Sequence, residues 1–218
     1  MNPTEGLKTL VQCDFDGTIT DDDVSFKLLD AFANGDWRRF LTQYQEGKIS
    51  VGRFNTRAFT MVKEDKQTLD SFVTEKARVR AGLRELLGYC RQRGFRFVIV
   101  SNGMDFYIRA ILRTLGVDNI EVFAAQSTFD PDGIKVRYIG PNGTELQDGF
   151  KEAYLRNFLK SGYRIIYIGN GVSDIPSARL AYHIFATGPL LAHCQETNLK
   201  CTPFADLNDV VKGMALLA

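Results

Sequence analysis

Apolar residues follow two rhythms along this chain, and the rhythms alternate. Short runs that are apolar almost throughout lie at Phe95 to Ser101 and Arg164 to Gly169, with one apolar in its middle at Lys8 to Asp14 and a weaker one at His183 to Ala186. Such runs predict strands covered on both faces, as in a parallel sheet between helices. Elsewhere apolar positions recur every three or four residues. Leu83, Leu86, Leu87 and Cys90 do so before Gly94, and Ile108, Ile111, Leu112 and Leu115 before Gly116. Tyr154, Leu155, Phe158 and Leu159 do so before Gly162, and Leu207, Val210, Val211 and Met214 close the chain. These spacings predict amphipathic helices, with the glycines as their stops. Strand–helix alternation predicts an α/β fold, a doubly wound parallel sheet with right-handed crossovers.

Two stretches break the alternation. From Thr20 to about Arg78 there is no good strand, only helical patterns. Asp21-Asp22-Asp23 precedes Phe26, Leu28, Leu29 and Phe32 and suits a helix start, where carboxylates cap free N–H groups and meet the positive end of the dipole. Trp37 to Tyr44, Ser50 to Val62 and Leu69 to Ala77 predict three more helices. Residues 21–78 are therefore expected to form a helical cap inserted into a core domain made of 1–20 and 79–218. The second break, Thr128 to Leu146, sets the turn signals Pro131-Asp132-Gly133 and Pro141-Asn142-Gly143 around Ile134 to Ile139, and predicts a β-hairpin excursion.

Composition narrows the class. A chain of 218 residues buries a core without disulfides or a structural metal. Hydrophobic residues at 44% and charged ones at 24% exclude disorder and coiled coil. Twenty-seven Lys and Arg against 26 Asp and Glu leave +1, which sets up no field to draw nucleic acid or anionic lipid. No apolar run reaches the ~20 residues of a membrane span. Met1-Asn2-Pro3-Thr4-Glu5 has no basic stretch leading into an apolar one, so no signal peptide and a cytoplasmic place are expected. Neither nucleic acid nor membrane is an expected partner; the oligomeric state is left open. Cys13, Cys90, Cys194 and Cys201 contain no Cys-x-x-Cys pair and read as reduced thiols, a Cys194–Cys201 bridge being the alternative.

Ligands of open α/β sheets bind beyond the carboxyl ends of the strands, so those ends are where chemistry is sought. The first strand ends in Asp14-Phe15-Asp16-Gly17-Thr18, the second in Ser101-Asn102-Gly103, the third in Gly169-Asn170-Gly171-Val172-Ser173-Asp174, and Lys151 opens the helix before the third. Asp14 and Asp16 are two apart, so on extended backbone their side chains point the same way. Carboxylates that close share a proton or a cation. Mg²⁺ suits hard oxygen donors of this kind. Gly17 lets the backbone approach a ligand.

These segments, in this order, resemble the motifs of the haloacid dehalogenase superfamily of phosphohydrolases, and with the helical insertion the resemblance covers almost the whole chain. It is closest to the branch holding phosphoserine phosphatases and the methionine-salvage phosphatases. The tail Cys194-Gln195-Glu196-Thr197-Asn198 with Thr202-Pro203-Phe204 resembles the latter. The resemblance implies a Rossmann-like core and a Mg²⁺-dependent phosphomonoesterase acting on a small phosphorylated metabolite. It implies Asp14 as nucleophile and Asp16 as general acid and then base. It places Gly17, Thr18, Ser101, Asn102, Gly103 and Lys151 around the phosphate, and Asp14, Asp16, Asn170 and Asp174 around the metal.

Asn170 departs from the pattern, since the family carries a carboxylate there. An amide oxygen still ligates Mg²⁺ but brings no charge, and one negative charge ~4 Å from a cation is worth a few kcal/mol at an effective dielectric near 20. Weaker Mg²⁺ affinity, a larger role for Asp174, or a binding or regulatory protein that has lost catalysis all follow from that one change. Phosphoserine phosphatase is the enzyme rival. Asp23 matches its substrate-binding acid, but its substrate-binding Arg would fall at Ala58, and Arg57 points about 100° away on a helix. The basic stretch of Lys76, Arg78, Arg80, Arg84, Arg91, Arg93 and Arg96 reads as a solvated face. His183 and His193 read as packing residues, and Trp37, Phe40 and Tyr44 as cap core.

Overall fold

A computed structural model describes residues 8–217; the opening segment read above for a leader lies outside them. β1 (Lys8–Cys13) leads into α1 (Val24–Phe32), α2 (Arg38–Gln45), α3 (Val51–Phe59) and α4 (Lys66–Lys76). Next come α5 (Leu83–Gln92), β2 (Arg96–Met104), α6 (Asp105–Thr114), β3 (Glu121–Asp130), β4 (Gly133–Arg137) and α7 (Phe150–Lys160). The chain continues with β5 (Tyr163–Gly169), a 3-10 turn at Val172–Asp174, α8 (Ile175–Ala178), β6 (His183–Ala186), α9 (Gly188–Glu196), β7 (Thr202–Pro203) and α10 (Leu207–Ala215).

The strands form one sheet in the order β4-β3-β2-β1-β5-β6-β7, parallel at every pairing but β3–β4. This is the α/β class that the alternation predicts. Leu10, Val11 and Cys13 of β1, Val98 to Val100 of β2, and Ile165 and Ile168 of β5 have no solvent exposure, as residues of a sheet covered on both faces must. The ladder runs one residue beyond β1, where Asp14 N–H donates to Ile168 O at 2.9 Å, so the loops after β1 and β5 start side by side.

The helical stretch hangs on a narrow stem. Thr20 and Val79 form an antiparallel bridge, Asp21 N–H donates to Arg78 O at 2.9 Å, and Arg80 N–H donates to Ile19 O at 2.8 Å. The chain leaves and re-enters the sheet domain at that one place, with only α1 to α4 as helices or strands between. Three of these helices start on side-chain caps. Asp23 accepts from Phe26 N–H, Ser50 from Arg53 N–H and Asp65 from Thr68 N–H.

The hairpin differs from the expectation in one respect. Its first strand is no excursion but the far end of a ten-residue sheet strand. Glu121 to Phe123 pair parallel with Val98 to Val100, and Gln126 to Asp130 then pair antiparallel with β4. The second half of β3, Gln126 to Asp130, is polar except for Phe129 because it is a two-stranded ribbon, and that hides the strand among those recognised by continuous apolarity. α9 and the two-residue β7 were likewise not expected. The ribbon grips α3 at both ends. Ile134 N–H donates to Val62 O at 3.1 Å just past the helix, and Ser50 Oγ donates to Gln147 O at 3.0 Å at its start.

Candidate active site

The strand ends converge as the chain order predicts, and Asp14 stands at their centre. Its Oδ1 accepts from Phe15 N–H at 2.7 Å, and its Oδ2 meets Lys151 Nζ at 2.8 Å. Lys151 comes from the first turn of α7, where its carbonyl is tied to the carboxyl end of β1 by Gln12 Nε2 at 3.1 Å. The Lys151 ammonium also lies 2.6 Å from Asp174, and both partners are buried. Burial and Asp174 push the Asp14 carboxyl up to about 7 against the pull of Lys151. Burial works against the Lys151 charge, but the two carboxylates outweigh it and hold the ammonium above its ordinary value.

Asp174, expected around the metal, is held by donors of the chain in this structure. Its Oδ1 accepts from Lys151 Nζ and from Tyr167 O–H at 2.6 Å each, and its Oδ2 accepts from Asn170 N–H at 3.0 Å and Gly171 N–H at 2.8 Å. A carboxylate has about four acceptor sites, and four donors fill them. In this structure Asp174 is a buried anchor for Lys151 and for the loop after β5, with no lone pair left for a cation.

Asp16, in the same chamber, is held by different partners. Val24 N–H donates to its Oδ1 at 2.9 Å and Tyr107 O–H to its Oδ2 at 2.5 Å. Burial and the neighbouring Asp23 push its carboxyl well above the usual carboxylate range, and burial raises Asp23 too. A carboxyl so placed keeps its proton to higher pH than an ordinary aspartate. Tyr107, from α6, is an orienting group that local sequence reading missed, as is Tyr167 beneath Asp174.

Gly17 and Thr18, expected beside the phosphate, turn away from the chamber and brace Asn170 instead. Thr18 Oγ1 is fully buried and donates to Asn170 Oδ1 at 3.0 Å. Gly17 has φ +70°, and a Cβ there would overlap the Asn170 amide, so both conformation and space require glycine. Arg80 holds the same loop from behind, donating to Thr18 O at 3.1 Å, Gly17 O at 3.2 Å and Ala205 O at 2.6 Å. It belongs to the basic stretch read as a solvated face, and in its case that reading is corrected.

Asp14, Asp16, Ser101, Asn102, Gly103, Lys151 and Asn170 all line one chamber of about 320 Å³. Helices of the inserted stretch close it with Phe26, Leu41, Tyr44, Val51, Phe54 and Asn55. A second lobe of about 320 Å³ shares Tyr44, Lys151 and Val172 and runs on past Ile49, Phe150 and Pro176. Tyr44 is thus chamber wall as well as cap core, while Trp37 is buried against Phe26 and Phe54. Arg57 is exposed, donates to Gln43 Oε1 at 3.3 Å and lies over Phe40. His183 contacts Thr202 Oγ1 and His193 contacts Arg179, both away from the chamber. Among the described residues the four cysteines are unpaired.

The donor set fits a hard divalent cation by charge. Asp14, Asp16 and Asp23 line the chamber, and Lys151 is its only Lys or Arg among the described residues. Burial does most to lift the three carboxyls, and a neighbouring carboxylate adds to it for Asp14 and Asp16. The Asp16 carbonyl oxygen accepts no hydrogen bond from the described residues, and Asn170 Oδ1 takes only the Thr18 hydroxyl. No three His, Cys, Asp or Glu side chains among the described residues cluster as a metal site, so the groups that could hold a cation here are mixed: the Asp14 carboxylate, the Asp16 carbonyl and the Asn170 amide.

Known proteins show the same relationship. Residues 11–179 match the family of haloacid dehalogenase-like hydrolases. A 2-hydroxy-3-keto-5-methylthiopentenyl-1-phosphate phosphatase of Geobacillus kaustophilus is 30% identical over 207 residues, covering 93% of each chain. The protein of that name from Geobacillus thermodenitrificans is 30% identical over 210 residues, covering 94% of each. A solved phospho-aspartyl intermediate analogue of phosphoserine phosphatase superposes with a TM-score of 0.68 at 21% identity, over 94% of this chain and 98% of that one. At that identity the superposition speaks for the fold alone.

Proposed function

The chain belongs to the haloacid dehalogenase-like hydrolases and is a phosphatase, and from that premise we propose that it cleaves a small phosphomonoester by way of a phosphorylated Asp14. The observation that carries the reading is Asp14 beside Lys151 on the chamber floor, with Asp16 on the same wall. An Asp14 oxygen attacks phosphorus as the bond to the ester oxygen breaks, and Asp16 gives its proton to that departing oxygen. Asp16 then takes a proton from water as the water oxygen attacks phosphorus, releasing phosphate and restoring Asp14. The raised Asp16 carboxyl suits the first half of that exchange, since burial favours its protonated form. Lys151, the Ser101 hydroxyl and the Asn102 and Gly103 N–H groups are the donors for the phosphate oxygens. Asp14, the Asp16 carbonyl and Asn170 would hold Mg²⁺, which when bound offsets phosphate charge.

On the same reading residues 21–78 act as a cap over a core of 1–20 and 79–218, and the substrate is small enough to be enclosed. We infer 2-hydroxy-3-keto-5-methylthiopentenyl-1-phosphate as the substrate from the relatives that carry that name. The chamber supports it over phosphoserine, because among the described residues no arginine lines it to meet a carboxylate and Arg57 stands outside. The test is hydrolysis of that ester, phosphoserine and p-nitrophenyl phosphate with Mg²⁺ and with EDTA, by wild type and Asp14→Asn. Turnover that Asp14→Asn retains overturns the covalent route, and a preference for phosphoserine overturns the substrate.

A further inference from the structure

The Asn102 carbonyl is held by two donors from outside its own loop. Asn55 Nδ2, on α3, donates to it at 2.9 Å, and Tyr138 O–H, just past β4, donates to it at 2.7 Å. The second N–H of Asn55 donates to the Tyr138 oxygen at 2.7 Å, closing a ring of three hydrogen bonds. Chemistry fixes the sense of the ring. The carbonyl only accepts, and the tyrosine spends its proton on it, so the Asn55 amide nitrogen must face both. Asn55, Tyr138 and Asn102 are all buried, so none of these bonds is exchanged for water.

The same peptide bears a group turned to the chamber. Its other end, Gly103 N–H, donates to Ser101 Oγ at 3.0 Å, and Ser101, Asn102 and Gly103 are all chamber wall. Gly103 cannot carry a side chain, because a Cβ would overlap the Tyr107 hydroxyl and the Asp16 carboxylate. Glycine leaves the backbone free to turn. Restraint on this peptide therefore has to come from elsewhere, and the Asn55–Tyr138 pair supplies it.

We propose that Asn55 and Tyr138 are positioning residues that set the Asn102–Gly103 peptide and the Ser101 hydroxyl for phosphate, so that seating α3 on the ribbon and assembling the phosphate loop are one event. The proposal rests on the reading of this loop as the phosphate site. α3 is brought close enough by Gly52, where a Cβ would press on Gln147 O at 3.1 Å and the Tyr138 ring at 3.5 Å. If α3 lifts, the Asn102 carbonyl loses one donor and the Tyr138 hydroxyl its own, and a buried acceptor resists such loss.

The test is calorimetric titration of inorganic phosphate into the Mg²⁺-supplemented full chain, with kcat/KM measured in parallel on p-nitrophenyl phosphate. Tyr138→Phe keeps the ring on Phe150 and removes only the hydroxyl, and Asn55→Leu removes the amide. Each should weaken phosphate binding and lower kcat/KM by about tenfold, the value of one net hydrogen bond. The double variant should be little worse than the stronger single one, since one ring is being broken. If Asn55→Leu does not fold, Tyr138→Phe decides alone. Unchanged phosphate affinity in a folded variant overturns the proposal, as does an effect confined to KM for longer esters. Phosphate binding needs no turnover, so a chain that hydrolyses nothing would sink the phosphatase reading and leave this measurement standing.

Discussion

Asp174 holds Lys151 at 2.6 Å from a position with no solvent exposure, and each of its four acceptor sites is filled by a donor of the chain itself. A metal ligand and a buried anchor respond differently to loss of charge. Asp174→Asn turns an N–H₂ toward donors on one side and leaves the Lys151 charge half matched. Breaking a buried pair this way costs about 3–5 kcal/mol, so urea unfolding of the metal-free variant should show a loss of that order. A variant with wild-type stability and only a weaker Mg²⁺ affinity would put Asp174 on the metal after all.

Asp16→Asn should trade activity for stability. Without a proton to give, hydrolysis of an alkyl phosphate falls by about 10²–10⁴-fold, and p-nitrophenyl phosphate, with its better leaving group, falls less. The same substitution removes a charge that burial and Asp23 disfavour, while an amide keeps the bond from Val24 N–H. The metal-free variant should therefore melt above wild type, a gain of the kind seen when strained active sites are relaxed. Equal losses on both esters, with a lowered melting point, would mark Asp16 as structural.

Arg80→Lys separates the basic stretch into its parts. A guanidinium fork serves three carbonyls here, Thr18, Gly17 and Ala205, and an ammonium on a flexible stem cannot reproduce that geometry. Stability should fall by about 1–3 kcal/mol through the lost bonds, with kcat/KM falling as the loop after β1 loosens. Arg91→Lys, on the exposed face of α5, should change neither. Equal behaviour of the two variants in melting and kinetics would return Arg80 to the solvated face.

How much of this was legible beforehand follows from how local each signal is. β2 and β5 announce themselves by nearly continuous apolarity and β1 by an apolar middle, as strands buried on both faces do, and Asp14, Ser101 and Asn170 sit at their ends, with Lys151 on the helix before β5. β3 does not, since half of it belongs to a ribbon. Tyr107 reaches Asp16 across 91 residues and Asn55 reaches Tyr138 across 83, distances over which no spacing rule operates. Thr18 and Asp174 were visible as residues but not in their roles. Only the acceptor that Thr18 Oγ1 faces and the donors around the Asp174 oxygens show that both are already committed.

Asn170→Asp asks what the missing carboxylate does. The Thr18 hydroxyl that donates to Asn170 Oδ1 would donate equally to a carboxylate, so the local frame accepts the change. In the metal-free chain the new charge joins Asp14, Asp16 and Asp23 around a single lysine, and the melting point should drop. With Mg²⁺ the sign reverses, because a ligand that binds only the folded chain stabilises it more as its affinity rises. Calorimetric titration should give an affinity about tenfold higher, if about 1.4 kcal/mol of attraction is recovered across the screened site. The two shifts come from one charge and must appear together. A lower metal-free melting point with unchanged Mg²⁺ affinity would mean that residue 170 senses the carboxylates without touching the ion, and the ligand set would then be Asp14 and the Asp16 carbonyl alone.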